Sequence, residues 1–363
     1  MPSVEEIQAY KERPPVLATV ELVDGMLLTE ELPVTPDLSV GKVVEICTHF
    51  LELTDPRSDC MGIFVYDIAP DPESKIPDPD ADKPYADLER TPRPLRNEDY
   101  MGDIIVQKAR QKRNFKFVFK RKVFLAKDNT HSSDDVFNKL TYLQAEDEVI
   151  KTGNLKPKRE GDMVKMAALS YTVAFGEDVY DNADDMAHDE KDPITDFIAP
   201  AFRQKKSALQ WAEQVLPLLG SLTAKDQTTL QREFVEATWS NELYGSHFFN
   251  VHVLTCGMSK NKLNLAPTLE KKVFSRGVWK LEDCKVAFNQ KGLWIFTMDL
   301  TTIVHFGYAD IYRWGGSSSM FSLIIWNPHD EKTFELKLST AQAADMAGII
   351  LDYINAIMAA TPS

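Results

Sequence analysis

The 363-residue chain is longer than one ordinary folding unit, and at 44% apolar it can build two or three cores. Its formal charge of −14 excludes bulk nucleic-acid binding, which depends on Lys and Arg neutralising phosphates. No apolar run reaches the roughly 20 residues of a membrane-spanning helix. Glu5, Glu6 and Glu12 stand where a signal peptide would be apolar. The four cysteines, Cys47, Cys60, Cys256 and Cys284, have neither metal-ligand spacing nor the pattern of a small secreted domain, and read as reduced thiols of a cytoplasmic protein.

Residues 1–15 read as a linker. In residues 16–125, Leu17–Val23 and Met26–Leu32 flank Asp24-Gly25, a hairpin signal because both turn positions tolerate positive φ. Val40–Leu53 reads as a helix with a broad apolar face, Cys60–Ile68 as a strand, and Tyr100–Arg110 as a short helix. Phe115, Phe117 and Phe119 alternate as on a half-buried strand. Two strands, a helix, a strand and a late strand make a ubiquitin-like succession. It is interrupted at 67–96 by seven prolines among eight acidic residues, a composition that cannot offset its ordering entropy.

Residues 126–245 change to a period of about 3.6. Val136, Leu140, Leu143 and Ile150 share a face, with Gly153 as the stop. Asp162–Phe175 and Ser207–Leu219 are helical, Pro217 bends or ends the second, and Thr223 caps a last helix running to Trp239. An acidic stretch at 177–196 reads as an insertion. From 246 the period is two again: Phe249, Val251 and Val253, then Lys285–Phe288 and Leu293–Thr297 around a Gln290-Lys291-Gly292 turn. Strands follow at Ala309–Trp314, Met320–Trp326 and Thr333–Leu338. A final helix is predicted with a Ser339/Gln342 capping box and a buried stripe of Met346, Ile350, Ile354, Ile357 and Met358. A curved sheet closed by a terminal helix outlines a PH/PTB-like domain.

Local sequences point to one family. Met1-Pro-Ser-Val-Glu-Glu-Ile-Gln-Ala-Tyr10 resembles the junction between a myosin-tail-homology domain and a FERM domain in unconventional myosins and plant kinesins. Asp99-Tyr-Met-Gly-Asp103 with Phe115–Phe124 resembles the end of the first lobe in that group, Val136–Gly153 with Met163–Gly176 the first helices of its second lobe, and Tyr244–His252 the strand opening its third. The resemblance implies an α+β multidomain FERM cloverleaf: a ubiquitin-like β-grasp lobe, an acyl-CoA-binding-protein-like helical lobe and a PH/PTB-like lobe. It also implies a non-catalytic interaction module in a motor tail, cytoplasmic and cytoskeleton-associated, with no cofactor. Its partners would be cargo or adaptor proteins and the motor of the same chain, held in autoinhibition. The alternative is a talin- or ezrin-like linker binding phosphoinositides.

The stretch from Ala309 to Leu323 is similar to the third-lobe strand with which talin-type FERM domains hold extended peptides. That similarity implies a groove of Ile311, Tyr312, Arg313, Trp314 and Gly315 facing Ala344, Ala347, Gly348 and Leu351 of the last helix. The other reading is that Tyr312 and Trp314 are core aromatics. Lys116, Lys120, Arg121 and Lys122, with Lys271 and Lys272 of the third lobe, form a candidate contact for lipid headgroups or an acidic partner, or else a solvated face. Asp78, Asp80, Asp82 and Glu89 match four positions of a calcium loop, but Lys83 stands where glycine is needed, so no metal site is expected. His247 and His252 point to opposite faces of a strand, and His305 has no close partner. No nucleotide-binding glycine loop or nucleophile elbow occurs.

Overall fold

In this computed structural model the described residues are 16–68, 92–111, 113–176, 180–189, 191, 193–256, 274–275, 278–327 and 331–360. Contacts divide the chain into two units. The first joins the N-terminal residues through 50, residues 61–123 and 247 onward; the second holds 51–60 and 124–246. The calcium-like tetrad, Lys271 and Lys272, and residues 1–15 lie outside the described residues.

The first unit opens with a β-grasp. Strands β1 (Val16–Glu21) and β2 (Leu27–Val34) form an antiparallel hairpin. Gly25 turns it at φ 86, and Asp24 Oδ1 accepts from the amide of Met26 at 3.0 Å. Helix α1 (Val40–Phe50) buries Val40, Val43 and Cys47, and is followed by β3 (Met61–Ile68). The short β4 (Arg93–Pro94), helix α2 (Met101–Arg110) and β5 (Asn114–Arg121) complete the lobe. The strand order is β2-β1-β5-β3-β4, with β5 parallel to β1. Its central place corrects one expectation: β5 is buried on both faces from Phe117 onward, so Val118 and Lys120 are as enclosed as the phenylalanines.

Two further lobes follow, the first of them making up the second unit. Helix α3 (Asp135–Glu146) is capped by the Asp134 carboxylate, which accepts from the amide of Phe137, and runs into a π-helical turn at Asp147–Lys151. Of the expected stripe, Leu140 and Ile150 are buried, whereas Val136 is 39% exposed and the neighbouring Phe137 is buried in its place. Helix α4 (Glu160–Phe175) is the core rod, buried along Met163–Thr172. Short helices α5 (Ala183–Ala187) and α6 (Pro200–Arg203) precede α7 (Ala208–Leu222) and α8 (Gln227–Trp239). The acidic stretch therefore carries structure: Asn182 caps α5, and Met186 and Ile194 are fully buried. Ser207 and Gln210 form the capping box of α7, which continues through Pro217 to Leu222. Thr223 ends α7; the cap of α8 is Asp226, whose carboxylate accepts from the amide of Thr229.

The first unit resumes with β6 (His247–Cys256), β7 (Phe274–Ser275), β8 (Val278–Asn289), β9 (Gly292–Thr297), β10 (Thr302–Phe306), β11 (Ile311–Gly316), β12 (Met320–Asn327) and β13 (Lys332–Ser339). They form one sheet in the order β10-β9-β8-β6-β13-β12-β11, with β7 beside β8. Strand β8 begins seven residues before the expected start at Lys285, because 278–284 pair with β6 and β7, and β10 was not foreseen. Helix α9 (Ala343–Ala360) packs on the sheet through Met346, Ile349, Ile350 and Tyr353. Ser339 ends β13 and caps nothing; the Thr340 hydroxyl accepts from the amide of Gln342 instead. Met358, expected in the stripe, is 69% exposed.

Candidate functional site: a sheet edge and an interlobe cleft

Among the described residues β11 pairs only with β12, so its outer side is a sheet edge. Ile311 faces Ile325 and is buried. A bulge then throws Tyr312 outward, 77% exposed. Pairing resumes at Arg313, with Trp314 opposite the buried Leu323 and Gly315 opposite Ser322. Trp314 therefore shares the face on which α9 packs, yet it is only half-buried. Neither aromatic is a core residue. The edge left for a partner strand is short, from Arg313 to Gly316, because the bulge interrupts it.

The helix residues expected opposite this edge are split between two surfaces. Leu351 is 50% exposed, Ala347 is half-buried, and Ala344 is exposed beside a cleft. Gly348 faces the β-grasp lobe: a β-carbon there would stand 3.2 Å from Arg96 Cγ. It is removed from the groove.

The basic patch is also corrected. Lys116 pairs with Glu21 at 2.7 Å. Lys120 is buried with its ammonium 4.6 Å from the centre of the Phe64 ring. Arg121 is buried and donates to the carbonyl of Val123 at 3.0 Å. Lys122 is buried between the carbonyl of Leu95 and the carboxylate of Asp352, each within 3.2 Å. Three consecutive cations thus serve packing and internal pairing; they present no solvated charge. His305, expected to stand alone, bonds the Lys291 carbonyl at 2.9 Å and lies 4.1 Å from the Trp294 ring centre. No three His, Cys, Asp or Glu side chains gather to hold a metal among the described residues.

Sequence reading missed a cleft of about 580 Å³ between the β-grasp and PTB-like lobes of the first unit. Most of its lining side chains are polar or charged, with Leu95 and Ile104 among the apolar ones. Arg93 grips Asp345 through Nε at 2.7 Å and Nη2 at 3.2 Å, and Arg96 donates to Asp99 through Nε at 3.1 Å. Asp67 accepts from Lys108 and, at 3.0 Å, from Arg113. Burial pushes the Lys108 ammonium below its ordinary range against the pull of Asp67, and pushes the Asp345 carboxyl above its own despite Arg93. The only signal was an aspartate on the core side of an apolar helix. Its partner lies 252 residues away.

A β-grasp, a helical lobe and a sheet closed by a terminal helix are the three parts of a FERM domain, and the chain carries this fold. Residues 127–249 match the FERM central domain family, and residues 270–358 match the PTB domain of IRS-1 type. Among solved structures it resembles the MyTH4-FERM MF2 domain of Dictyostelium discoideum myosin VII, at 14% identity and a TM-score of 0.67 over 97% of this chain and 61% of that one. The human myosin 7b C-terminal MyTH4-FERM domain, solved in complex with the harmonin-a PDZ3 domain, is similar at 14% identity and a TM-score of 0.66, over 98% and 63%. The FERM domain of Drosophila merlin, solved in complex with its C-terminal domain, is similar at 14% identity and a TM-score of 0.61, over 94% and 98%. FERM domain-containing protein B of Dictyostelium discoideum is 25% identical over 198 residues, which are 54% of this chain and 37% of that protein. The chain thus spans under two thirds of the myosin structures and little over a third of the curated relative.

Proposed function

We propose that this chain is a non-catalytic protein-interaction module that receives a short partner strand on β11, as a cargo- or adaptor-binding part of a cytoskeletal motor tail. The observation that carries the reading is the position of Trp314: half-buried, on the last strand of the sheet, and on the face against which α9 packs. Strand addition would supply backbone hydrogen bonds along 313–316, and Trp314 would supply the apolar anchor. The myosin likenesses support the motor-tail context and a cytoplasmic, cytoskeleton-associated setting. Contact with a motor in the same chain is a further part of this reading.

A phosphoinositide-binding linker is the weaker reading, because Lys120, Arg121 and Lys122 are enclosed. A peptide array followed by titration of the strongest peptide tests the groove. Trp314→Ala is expected to lower affinity roughly 30-fold, the effect of losing a hot-spot side chain worth about 2 kcal/mol. Equal binding by both proteins removes β11 from consideration. Vesicles containing phosphoinositide, with and without the peptide, decide between the two readings.

A further inference from the structure

Helix α9 is held by the β-grasp lobe along one stripe. Asp345, Gly348 and Asp352 stand at positions i, i+3 and i+7 and so share a face. Arg93 takes Asp345 in a fork, Arg96 lies over Gly348, and Lys122 holds Asp352 at 3.0 Å.

The two ends of this stripe differ in kind. At the Lys122 end the lobes are packed. His247 bonds the Lys122 carbonyl at 2.5 Å and stacks on Phe64, with the Tyr353 ring 6.2 Å away. At the other end Arg93 and Asp345 form part of the cleft wall, and a charge pair takes the place of apolar packing. Such a pair adds little net stability, since desolvation offsets most of the Coulomb gain, but it fixes orientation. The neighbouring carboxylates are already engaged, Asp67 by Lys108 and Arg113 and Asp99 by Arg96.

We propose that the Arg93–Asp345 pair is a latch that holds the interlobe cleft closed, and that the two lobes swing apart about the packed His247–Phe64–Tyr353 end when it is released. Rupture of one charge pair then widens the cleft while the packed end stays intact. The latch operates independently of any ligand on β11.

The test uses the full chain in a Cys60→Ser background, with nitroxides on Asp103→Cys and Ser318→Cys, residues that line the cleft from the β-grasp and the PTB-like lobe. Pulsed electron–electron resonance should give one narrow distance distribution. Asp345→Asn should shift the larger part of it to longer distance, and Arg93→Met/Asp345→Leu, which replaces the charges by apolar side chains, should restore the narrow one. An unshifted distribution in Asp345→Asn overturns the latch. If Asp345→Asn loses its helical signal, Arg93→Lys decides, because it keeps the charge and loses the fork. A shift there supports the latch, and no shift overturns it.

Discussion

His247 lies flat on Phe64, with ring centroids 5.6 Å apart and planes 22° from parallel. Its Nε2–H donates to the Lys122 carbonyl, which fixes the tautomer. Burial, helped by the charges of Lys120 and Lys122 and opposed by that hydrogen bond, drives its pKa down from 6.5 to about 3. The unfolded chain therefore binds a proton near pH 6.5 that the folded chain refuses until about pH 3. Stability from this group is complete above 6.5 and is lost as pH falls toward 3, by up to about 1.4 kcal/mol per pH unit. Urea unfolding between pH 7 and 4 should show this slope. His247→Gln should flatten it by one proton; a slope equal to wild type would rule the assignment out.

In the helical unit, Arg57 forks the Asp55 carboxylate at 2.8 and 2.6 Å and donates to the carbonyls of Asp128 and Thr130 at 2.8 and 2.7 Å. Its guanidinium lies 4.9 Å from the Phe137 ring centre. The fork holds the Asp55 carboxyl well below the usual carboxylate range. That contribution is present above the unfolded pKa and is lost as pH falls through the folded one. Arg57→Ala should cost roughly 3–5 kcal/mol by leaving Asp55 without its counter-charge. Arg57→Lys should cost about half as much, since a point charge cannot form the fork. Denaturation followed by the α-helical signal measures both, and equal losses would show that geometry is irrelevant.

The thiols should separate kinetically. Burial pushes Cys47 and Cys284 up to about 12, and Cys256 is buried as well, whereas Cys60 is half-buried. Only the thiolate is alkylated. Iodoacetamide at pH 8 should therefore label Cys60 first in the native protein, with the other three labelled on unfolding. Peptide mass spectrometry reads the order, and early labelling of Cys284 would contradict it.

Pro217 sits inside α7 without ending it. An interior proline removes one helical hydrogen bond and costs about 3 kcal/mol relative to alanine. Pro217→Ala should raise the stability of the helical unit by roughly 1–3 kcal/mol, seen as a higher urea midpoint. A lower midpoint would mean that the proline shapes the seat of Leu219 and Leu222.

The lobes were legible where periodicity and turn chemistry agree. Asp24-Gly25 marked its hairpin, and the apolar spacing of α4 and α9 marked helices. What was illegible depends on distant partners. Val136 and Phe137 are equally good face residues locally; Phe137 is the one enclosed, with the Arg57 guanidinium against its ring. Pro217 and Thr223 signal a stop and a start, yet α7 runs through Pro217 with Leu219 and Leu222 buried and ends at Thr223, and the start of α8 falls to Asp226. Lys120 and Lys122 look solvated in any window, because the groups that hold them, Phe64, Leu95 and Asp352, are far off in sequence. The edge strand carrying Trp314 was readable; the face of α9 opposite it was not, since Ala344, Ala347 and Gly348 are alike in size and differ only in what they meet.

The grip of Arg93 on Asp345 spans 252 residues of chain. A ribosome adding about 5–20 residues per second delivers the second partner roughly 10–50 s after the first. During that interval the nascent β-grasp lobe must wait with an arginine and a lysine meant for a helix not yet made. Maturation of the N-terminal lobe is thereby tied to completion of the C-terminal one, and a chain truncated ahead of α9 leaves its oldest part unfinished.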